Sequence, residues 1–260
     1  MEVANEVCSY PSHAPPIPVP LTVLGDHACS YLPGRIATSR AFFASGLSPE
    51  LYHEFMNAGF RRSGRLVYQP VCRGCRACVQ IRVPVDRFTP HKSQRRCWRQ
   101  NQDLIVSAED PEPTDEKYEL YRRYQIEWHS KDAASEDRES FESFLYDSPV
   151  QSVEFCYRNQ AGKLLAVGIC DVAPQSLSSV YFYHDPAEFR RGLGIFGALY
   201  EIAKARMLQI PYYYLGYWVV GCSAMNYKAT FEPNEILSAD GQWRVRGAEG
   251  DSCEFNGYNP

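Results

Sequence analysis

No apolar stretch of this 260-residue sequence approaches the ~18 residues that a membrane-spanning helix needs. The pattern of a secretory leader, a basic start followed by an apolar core, is also missing. Pro11, Pro15, Pro16, Pro18 and Pro20 interrupt the N-terminus instead. The expected location is therefore cytoplasmic. No internal repeat is present. Charged residues make up 22% and hydrophobic residues 45%, which excludes a disordered chain and fits an ordinary globular one. What the sequence has in abundance is cysteine, ten in all. A reducing compartment and this length argue against a disulfide scaffold, and for free thiols, a metal or a cluster.

A net charge of −4 conceals a strong asymmetry. Residues 1–60 carry a net −3 and residues 104–260 a net −10. Between them, residues 61–103 hold eleven cations, ten of them arginine, against Asp86 and Asp103. So dense a basic island reads as a surface for a polyanion. Arginine suits phosphate because its planar fork can bond two oxygens at once. The alternative is that some of these arginines pair with the acidic remainder of the chain.

Residues 1–24 read as a flexible Pro-rich arm, followed by a small Cys-rich basic domain over 25–106. The acidic, twice-prolyl stretch at 107–114 reads as a linker, and 115–260 as a second domain. Ser48-Pro49-Glu50 starts a helix with apolar Leu51, Tyr52, Phe55 and Met56, which Gly59 ends. Thr114-Asp115-Glu116 and Ser135-Glu136-Asp137 open two more. Strand-like runs follow at Val153–Arg158, Lys163–Val172 and Ser179–His184. Arg190-Arg191-Gly192-Leu193-Gly194 then leads into a helix from about Ile195 to Leu208. A strand from Pro211 to Val219 and a short helix near Ser223–Thr230 complete the pattern. This order resembles the N-acetyltransferase (GNAT) architecture, so the expected class is α+β, a mixed sheet flanked by helices. In GNAT proteins the Gly-rich turn and the helix N-terminus cradle a pyrophosphate. Here Phe196 stands where the motif ends in a small residue.

The most specific local feature is Cys72-Arg73-Gly74-Cys75-Arg76-Ala77-Cys78. Two-residue gaps let successive thiolates converge, as they do around a four-iron cluster. A zinc site would more often show two separate pairs. Cys29 or Cys97 could supply a fourth ligand. Cys8, Cys156, Cys170, Cys222 and Cys253 are isolated and read as core or surface thiols.

Longer motifs carry a second resemblance. Cys29-Ser30-Tyr31-Leu32-Pro33-Gly34-Arg35, Gly59-Phe60-Arg61-Arg62-Ser63-Gly64 and Tyr68-x-Pro70-x-Cys72-x-x-Cys75-x-Ala77-Cys78 resemble the N-terminal part of aminoacyl-tRNA–protein transferases. Ser93-Gln94-Arg95-Arg96 and Asn101-x-Asp103-Leu104 extend the match. Tyr214-Leu215-Gly216-Tyr217-Trp218, Cys222, Met225, Tyr227-Lys228, Phe231-x-Pro233 and Glu235 resemble the C-terminal part. Together they span Cys29 to Trp243. Gln80, His91-Lys92 and Leu32 depart from the family pattern. Leu32 stands where the eukaryotic branch has a second cysteine.

The compact length resembles the bacterial branch, which transfers leucine from leucyl-tRNA to proteins beginning with Asp or Glu and marks them for N-degron degradation. The alternatives are arginyl transfer, a CoA-dependent GNAT N-acetyltransferase, and a noncatalytic nucleic-acid-binding module. The partners implied are aminoacyl-tRNA and acidic N-termini, with neither membrane nor DNA. Some relatives hold an iron–sulfur cluster, which would place iron–sulfur or zinc at Cys29, Cys72, Cys75 and Cys78.

The reaction implied is aminolysis of an activated ester, which needs orientation, oxyanion stabilisation and a modest proton relay. Lys228, with Arg190 and Arg191, fits the acceptor carboxylate. Tyr212, Tyr213, Tyr214, Tyr217 and Trp218 fit a pocket for the leucyl side chain, aromatics also offer the terminal adenosine a stacking surface, and Tyr227 is a further substrate-binding candidate. Arg95, Arg96 and Arg99 fit the tRNA phosphates. Tyr217, Tyr183 and Asp185 are the candidates for the relay, with Tyr181 beside them. Strand alternation would put Tyr212, Tyr214 and Trp218 on one face and Tyr213 and Tyr217 on the other.

Overall fold

Ser48 starts the first helix as its sequence requires. Its Oγ accepts the Leu51 N–H at 3.2 Å, with Pro49 and Glu50 in the first turn. This helix, α1 (Pro49–Asn57), buries Tyr52, Phe55 and Met56, and Gly59 follows it at φ +87°. The structure is a computed structural model and describes residues 13–132 and 137–247. Ahead of α1 lie β1 (Thr22–Val23), β2 (His27–Ala28), β3 (Ile36–Ala37) and β4 (Ser39–Phe43). After it come β5 (Arg61–Ser63), β6 (Leu66–Pro70), β7 (Cys78–Pro84), α2 (Lys92–Gln100) and β8 (Ile105–Glu109). Helix α3 (Asp115–Arg123), capped by Thr114, continues as a π-helical turn over Tyr124–Trp128. Asp137 caps α4 (Arg138–Leu145); Ser135 and Glu136, expected at the same helix start, lie outside the described residues. The meander β9 (Ser152–Arg158), β10 (Leu164–Ala173) and β11 (Ser176–His184) leads to a 3-10 helix, Pro186–Arg191, and to α5 (Leu193–Met207). Last come β12 (Tyr212–Val219), a second 3-10 helix (Ser223–Thr230), β13 (Glu235–Leu237) and β14 (Trp243–Val245).

Eight strands form one mixed sheet in the order β14-β13-β7-β12-β11-β10-β9-β8. Only β11 and β12 run parallel. Phe196, Leu199 and Ile202 of α5, with Trp98 of α2, cover one face. Leu120 and Tyr121 of α3, with Phe141 and Leu145 of α4, pack against Val167, Ile169 and Tyr183 on the other. A smaller sheet, β1-β4-β6-β5, packs Val67 and Phe60 against Phe55 of α1. The result is the expected α+β class.

The division read at 107–114 does not divide the large sheet. Strand β7 lies between β12 and β13, β8 is the sheet's edge, and Ser107–Glu109 are the end of β8. Val79, Ile81 and Val83 of β7 complete the α5-facing core, so the basic segment cannot be separated from it without exposing apolar area. Residues 1–12 of the expected arm lie outside the described residues. Its remainder is docked: Val19 and Leu21 pack near Phe55, the His13 carbonyl accepts from Arg40 at 2.6 Å, and β1 pairs with β4.

Part of the basic island is interior. Arg62 and Asp171 form an ion pair at 2.6 Å with both side chains fully buried, and Arg82 meets Glu235 at 2.8 Å. The Arg82 guanidinium also lies 3.8 Å from the Tyr212 ring centroid and 4.1 Å from that of Trp243. Arg73, Arg76, Arg87, Lys92, Arg95, Arg96 and Arg99 remain exposed. Three of the island's eleven cations, Arg61, Arg62 and Arg82, are therefore framework and the rest surface; the acidic partners of Arg62 and Arg82 lie in the second half of the chain.

Candidate active site

Strands β11 and β12 share only three register pairs, Ser176↔Tyr212, Leu177↔Tyr213 and Ser178↔Tyr214. Beyond them the strands diverge and open a cleft in the middle of the sheet. The cause lies in β12, whose register against β7 shifts between Tyr214 and Gly216, with Gly216 at φ +82°. This bulge resets the side-chain alternation. Tyr213, Leu215 and Trp218 pack in the α5-facing core. Tyr214 and Tyr217 turn towards α1, where their hydroxyls donate to Asn57 Oδ1 at 2.6 Å and to the Gly59 carbonyl at 2.8 Å. Strict alternation had grouped Tyr214 with Trp218 and Tyr213 with Tyr217; the bulge exchanges those partners.

Two cations occupy the throat of the cleft. Arg61 reaches it from β5, donating to Ser178 Oγ at 2.6 Å and to the Ser179 carbonyl, while its guanidinium lies over Gly216. Lys228 approaches from the second 3-10 helix, its Nζ donating to the Tyr217 carbonyl at 2.8 Å. Burial, and then the charge of Arg61, pull the Lys228 ammonium down to about 7.

Aromatic side chains form the walls. On the β11 side, Gln125 of the π-helical turn donates to Tyr181 Oη at 2.6 Å. Tyr124 and Trp128 of that turn gather round His184 with ring centroids 4.9 and 5.0 Å away. Such a turn re-aims side chains that a regular helix would point elsewhere. Tyr227 lies opposite, close enough that it and Tyr181, after burial, raise the Tyr124 phenol. Beneath the cleft, Glu201 of α5 is buried and accepts from Tyr213 at 2.5 Å. Burial pushes its carboxyl up to about 7. Gly168 makes room for it, since a Cβ there would lie 2.5 Å from Glu201 Oε1.

At the outer end of the cleft the Gly-rich turn is present. Gly192 at φ +65° caps α5, and its carbonyl accepts from Ile195 and Phe196. Helix α2 is fastened to this turn: Asn101 donates to the Arg191 carbonyl at 2.9 Å and Gln100 to the Arg190 carbonyl at 3.1 Å. Between them lies a cleft of 250 Å³ whose lining includes Ser93, Arg96, Gln100, Phe189, Arg190 and Gly192. Arg190 is exposed, 5.5 Å from the Phe189 ring centroid. Arg191 is bound bidentately to Asp103 at 2.9 Å and also to Glu188, so the structure assigns it to the turn. Arg95 donates to the Pro90 carbonyl, and Arg99 is exposed on α2.

The candidates for a relay are occupied elsewhere. Tyr183 is fully buried, its hydroxyl 3.3 Å from that of Tyr146. The Asp185 carboxylate, also buried, accepts from Lys163 at 2.7 Å, from Arg123 and from the Ala187 N–H. Tyr214 is fully buried and bound to Arg82 as well as to Asn57. Trp218 is half-buried with the Arg246 guanidinium 5.6 Å from its ring centroid. Of the residues singled out from the sequence, Lys228 and Tyr227 are chain neighbours beside the β11–β12 split, and Arg96 and Arg190 line the separate cleft at the start of α5. Arg61, Tyr124, Trp128 and Glu201 are additions. Arg61 stood in a quoted motif, but nothing in the sequence distinguishes a buried arginine from its surface neighbours.

The thiols of Cys29, Cys72, Cys75 and Cys78 share one neighbourhood. Burial and then Cys72, Cys75 and Cys29 push the Cys78 thiol up to about 12. Cys97 lies elsewhere, its Sγ 3.4 Å from the Gly192 carbonyl. No three of the four sulfurs lie within 4.8 Å of one another. A tetrahedral zinc would hold them about 3.8 Å apart, from its Zn–S length of about 2.3 Å. The donor set is all sulfur, the chemistry that a multi-iron cluster or a structural zinc takes. Glu109, Glu154 and Cys156 do approach within 4.8 Å, but Lys117 already sits against both carboxylates.

A mixed sheet split between two parallel strands, with a Gly-capped helix at the mouth of the split, defines a GNAT-like acyltransferase. The family model described as arginine-tRNA-protein transferase, N terminus, matches residues 27–96, and its C-terminus counterpart matches residues 116–238. The aspartate/glutamate leucyltransferase of Pseudomonas putida (strain W619) is 41% identical, covering 81% of this chain and 90% of that protein. That of Halorhodospira halophila is 42% identical, covering 85% and 94%. Among solved structures, L-PGS from Bacillus licheniformis superposes with a TM-score of 0.47 at 13% identity, covering 75% of this chain and 62% of that one. The chain belongs to the arginine-tRNA-protein transferase family and is an aminoacyltransferase. No helix among the described residues is long and apolar enough to cross a membrane.

Proposed function

We propose that this enzyme transfers leucine from leucyl-tRNA to the N-terminal amine of proteins beginning with Asp or Glu, marking them for degradation by the N-degron pathway. The observation that supports this reading is a pair of cationic sites: a cleft lined by Arg96 and Arg190 at the start of α5, and Arg61 with Lys228 where β11 and β12 part. The rim suits the phosphates of the tRNA 3′ end, with the N-terminus of α5 behind them. The aromatic walls suit an uncharged acyl group and a stacked adenine. The throat suits a carboxylate.

In the reaction the acceptor amine attacks the carbonyl carbon of the aminoacyl ester. A C–N bond forms, the C–O bond to the ribose breaks, and the amine's proton leaves as the ribose hydroxyl regains one. With a pKa of about 7.7–8.0, an α-amine is partly neutral near pH 7. The ester is already activated, so the enzyme's task is chiefly to hold amine and ester in register.

Cys29, Cys72, Cys75 and Cys78 are proposed to hold an iron–sulfur cluster. When bound it would tie the 29–35 loop to the β6–β7 connection.

The test is transfer of labelled amino acid from leucyl-tRNA and arginyl-tRNA to peptides starting with Asp, Glu, Asn or Lys, using protein purified without oxygen. Leucine on the Asp and Glu peptides alone is expected, together with iron and sulfide in the protein. Arginine transfer would overturn the donor assignment, and active protein free of metal would overturn the cluster. Stabilisation by acetyl-CoA without any transfer would favour the N-acetyltransferase alternative.

Arg96→Ala combined with Arg190→Ala is expected to weaken tRNA binding and to reduce the slope of log K against log salt by about 1 to 2, one phosphate contact being lost per arginine. An unchanged slope would remove the rim from the tRNA interface.

A further inference from the structure

Arg61 is a buried cation with no carboxylate partner among the described residues. Its residue is 6% exposed, and among the described residues no carboxylate lies within 4.0 Å of its guanidinium. Its neighbours Arg62, Arg65 and Arg82 have such partners in Asp171, Asp147 and Glu235. A buried guanidinium without a counter-ion is costly, and a fold keeps one only where something offsets that cost. The bonds Arg61 does make go to neutral groups on β11, the Ser178 hydroxyl and the Ser179 carbonyl, with Met56 Sδ at 4.0 Å. They fix the guanidinium where β11 parts from β12. The strands' last shared pair is Ser178↔Tyr214, and Gly216 stands two residues further along β12. A Cβ at Gly216 would lie 3.5–3.6 Å from the guanidinium atoms, so β12 approaches this charge with bare backbone. Lys228 donates to the carbonyl of Tyr217, the residue next to Gly216, so a second cation meets β12 at the same place.

Resting on the function proposed above, we infer that Arg61 is the residue that reads the acidic side chain of the acceptor, receiving the carboxylate of an N-terminal Asp or Glu at the throat of the β11–β12 cleft. Lys228 supplies a second donor from the opposite strand's side. The division of labour follows from their chemistry. Arginine stays charged and offers a planar fork to two carboxylate oxygens, whereas lysine gives a point contact and loses its charge readily when buried. With the carboxylate held at the throat, the α-amine a few bonds away faces the wall where the acyl group is expected. An amide side chain brings no negative charge to the site, so Asn and Gln termini are rejected.

The experiment measures kcat/KM for leucyl transfer to otherwise identical peptides starting with Asp or Asn, in the full-length wild type and in Arg61→Gln and Ser178→Ala. The wild type is expected to prefer Asp strongly. In Arg61→Gln the Asp-to-Asn ratio should fall at least tenfold, with leucyl-tRNA affinity kept. Ser178→Ala removes only the hydroxyl that anchors the guanidinium, and should lower the ratio by severalfold through KM for the peptide. A ratio unchanged in Arg61→Gln would overturn the inference and leave the function standing. If Arg61→Gln does not fold, an unchanged ratio in Ser178→Ala overturns it in the same way. A wild type that does not distinguish Asp from Asn overturns the function first, and the inference with it.

Discussion

Lys228→Ala is expected to lower kcat/KM for transfer to an Asp-initiated peptide by roughly 10- to 100-fold, the worth of a charge-assisted hydrogen bond of about 1.5–3 kcal/mol. Its effect on leucyl-tRNA affinity should be small. The reason is positional. Lys228 stands at the throat, held by the Tyr217 carbonyl, whereas the arginines that suit phosphate stand at the rim beside α2 and α5. Steady-state kinetics with varied peptide, alongside direct binding of leucyl-tRNA, separates the two. Equal loss of both would remove Lys228 from the acceptor site.

The second large effect is on stability. Asp171→Ala leaves Arg62 charged and buried beside Ser152, which is expected to cost about 3–5 kcal/mol. For a domain of this size that corresponds to a Tm lower by about 10 °C. The double variant Arg62→Met with Asp171→Leu removes both charges and should recover most of the loss, because the penalty is the unpaired charge rather than the missing bond. Thermal unfolding of the wild type and these two variants makes the comparison. A double variant as unstable as Asp171→Ala would show that packing, not charge, decides the site. This pair joins β5 to β10 across 109 residues of sequence, so its loss should also loosen the strand that carries Arg61.

The main helices and strands between 114 and 230 were readable because each carries local chemistry, whereas β13 and β14 were not anticipated. Thr114 caps α3, Asp137 caps α4, and Gly192 adopts the left-handed conformation that ends the 3-10 turn and begins α5. The strands before residue 85 were not anticipated, and neither were α2 and β8, whose last residues had been read as linker. Lys92–Gln100 is almost wholly polar, and its helix is anchored by a few tertiary contacts, chiefly Trp98 on Phe196 and Gln94 on the Thr230 carbonyl. Periodicity gives no sign of contacts such as these.

By itself the sequence determined the α+β class, the motifs of the family, the cysteine run and the placing of Lys228 and Tyr227 in one short helix after β12. Those follow from local spacing and from residue types whose chemistry is the same wherever they sit. Only the tertiary structure decided which charges are interior. Arg61, Arg62, Arg95 and Arg96 are the same residue type within 36 positions, yet one stands unpaired in a cleft, one is locked to Asp171 and two are exposed on α2. The physical reason is that an arginine's role is set by what lies within about 4 Å of its guanidinium, here contributed by strands more than 100 residues away. The bulge at Gly216 acts in the same way. One extra residue in β12 turns Tyr217 and Trp218 to opposite faces from those that alternation assigns and opens the cleft between β11 and β12.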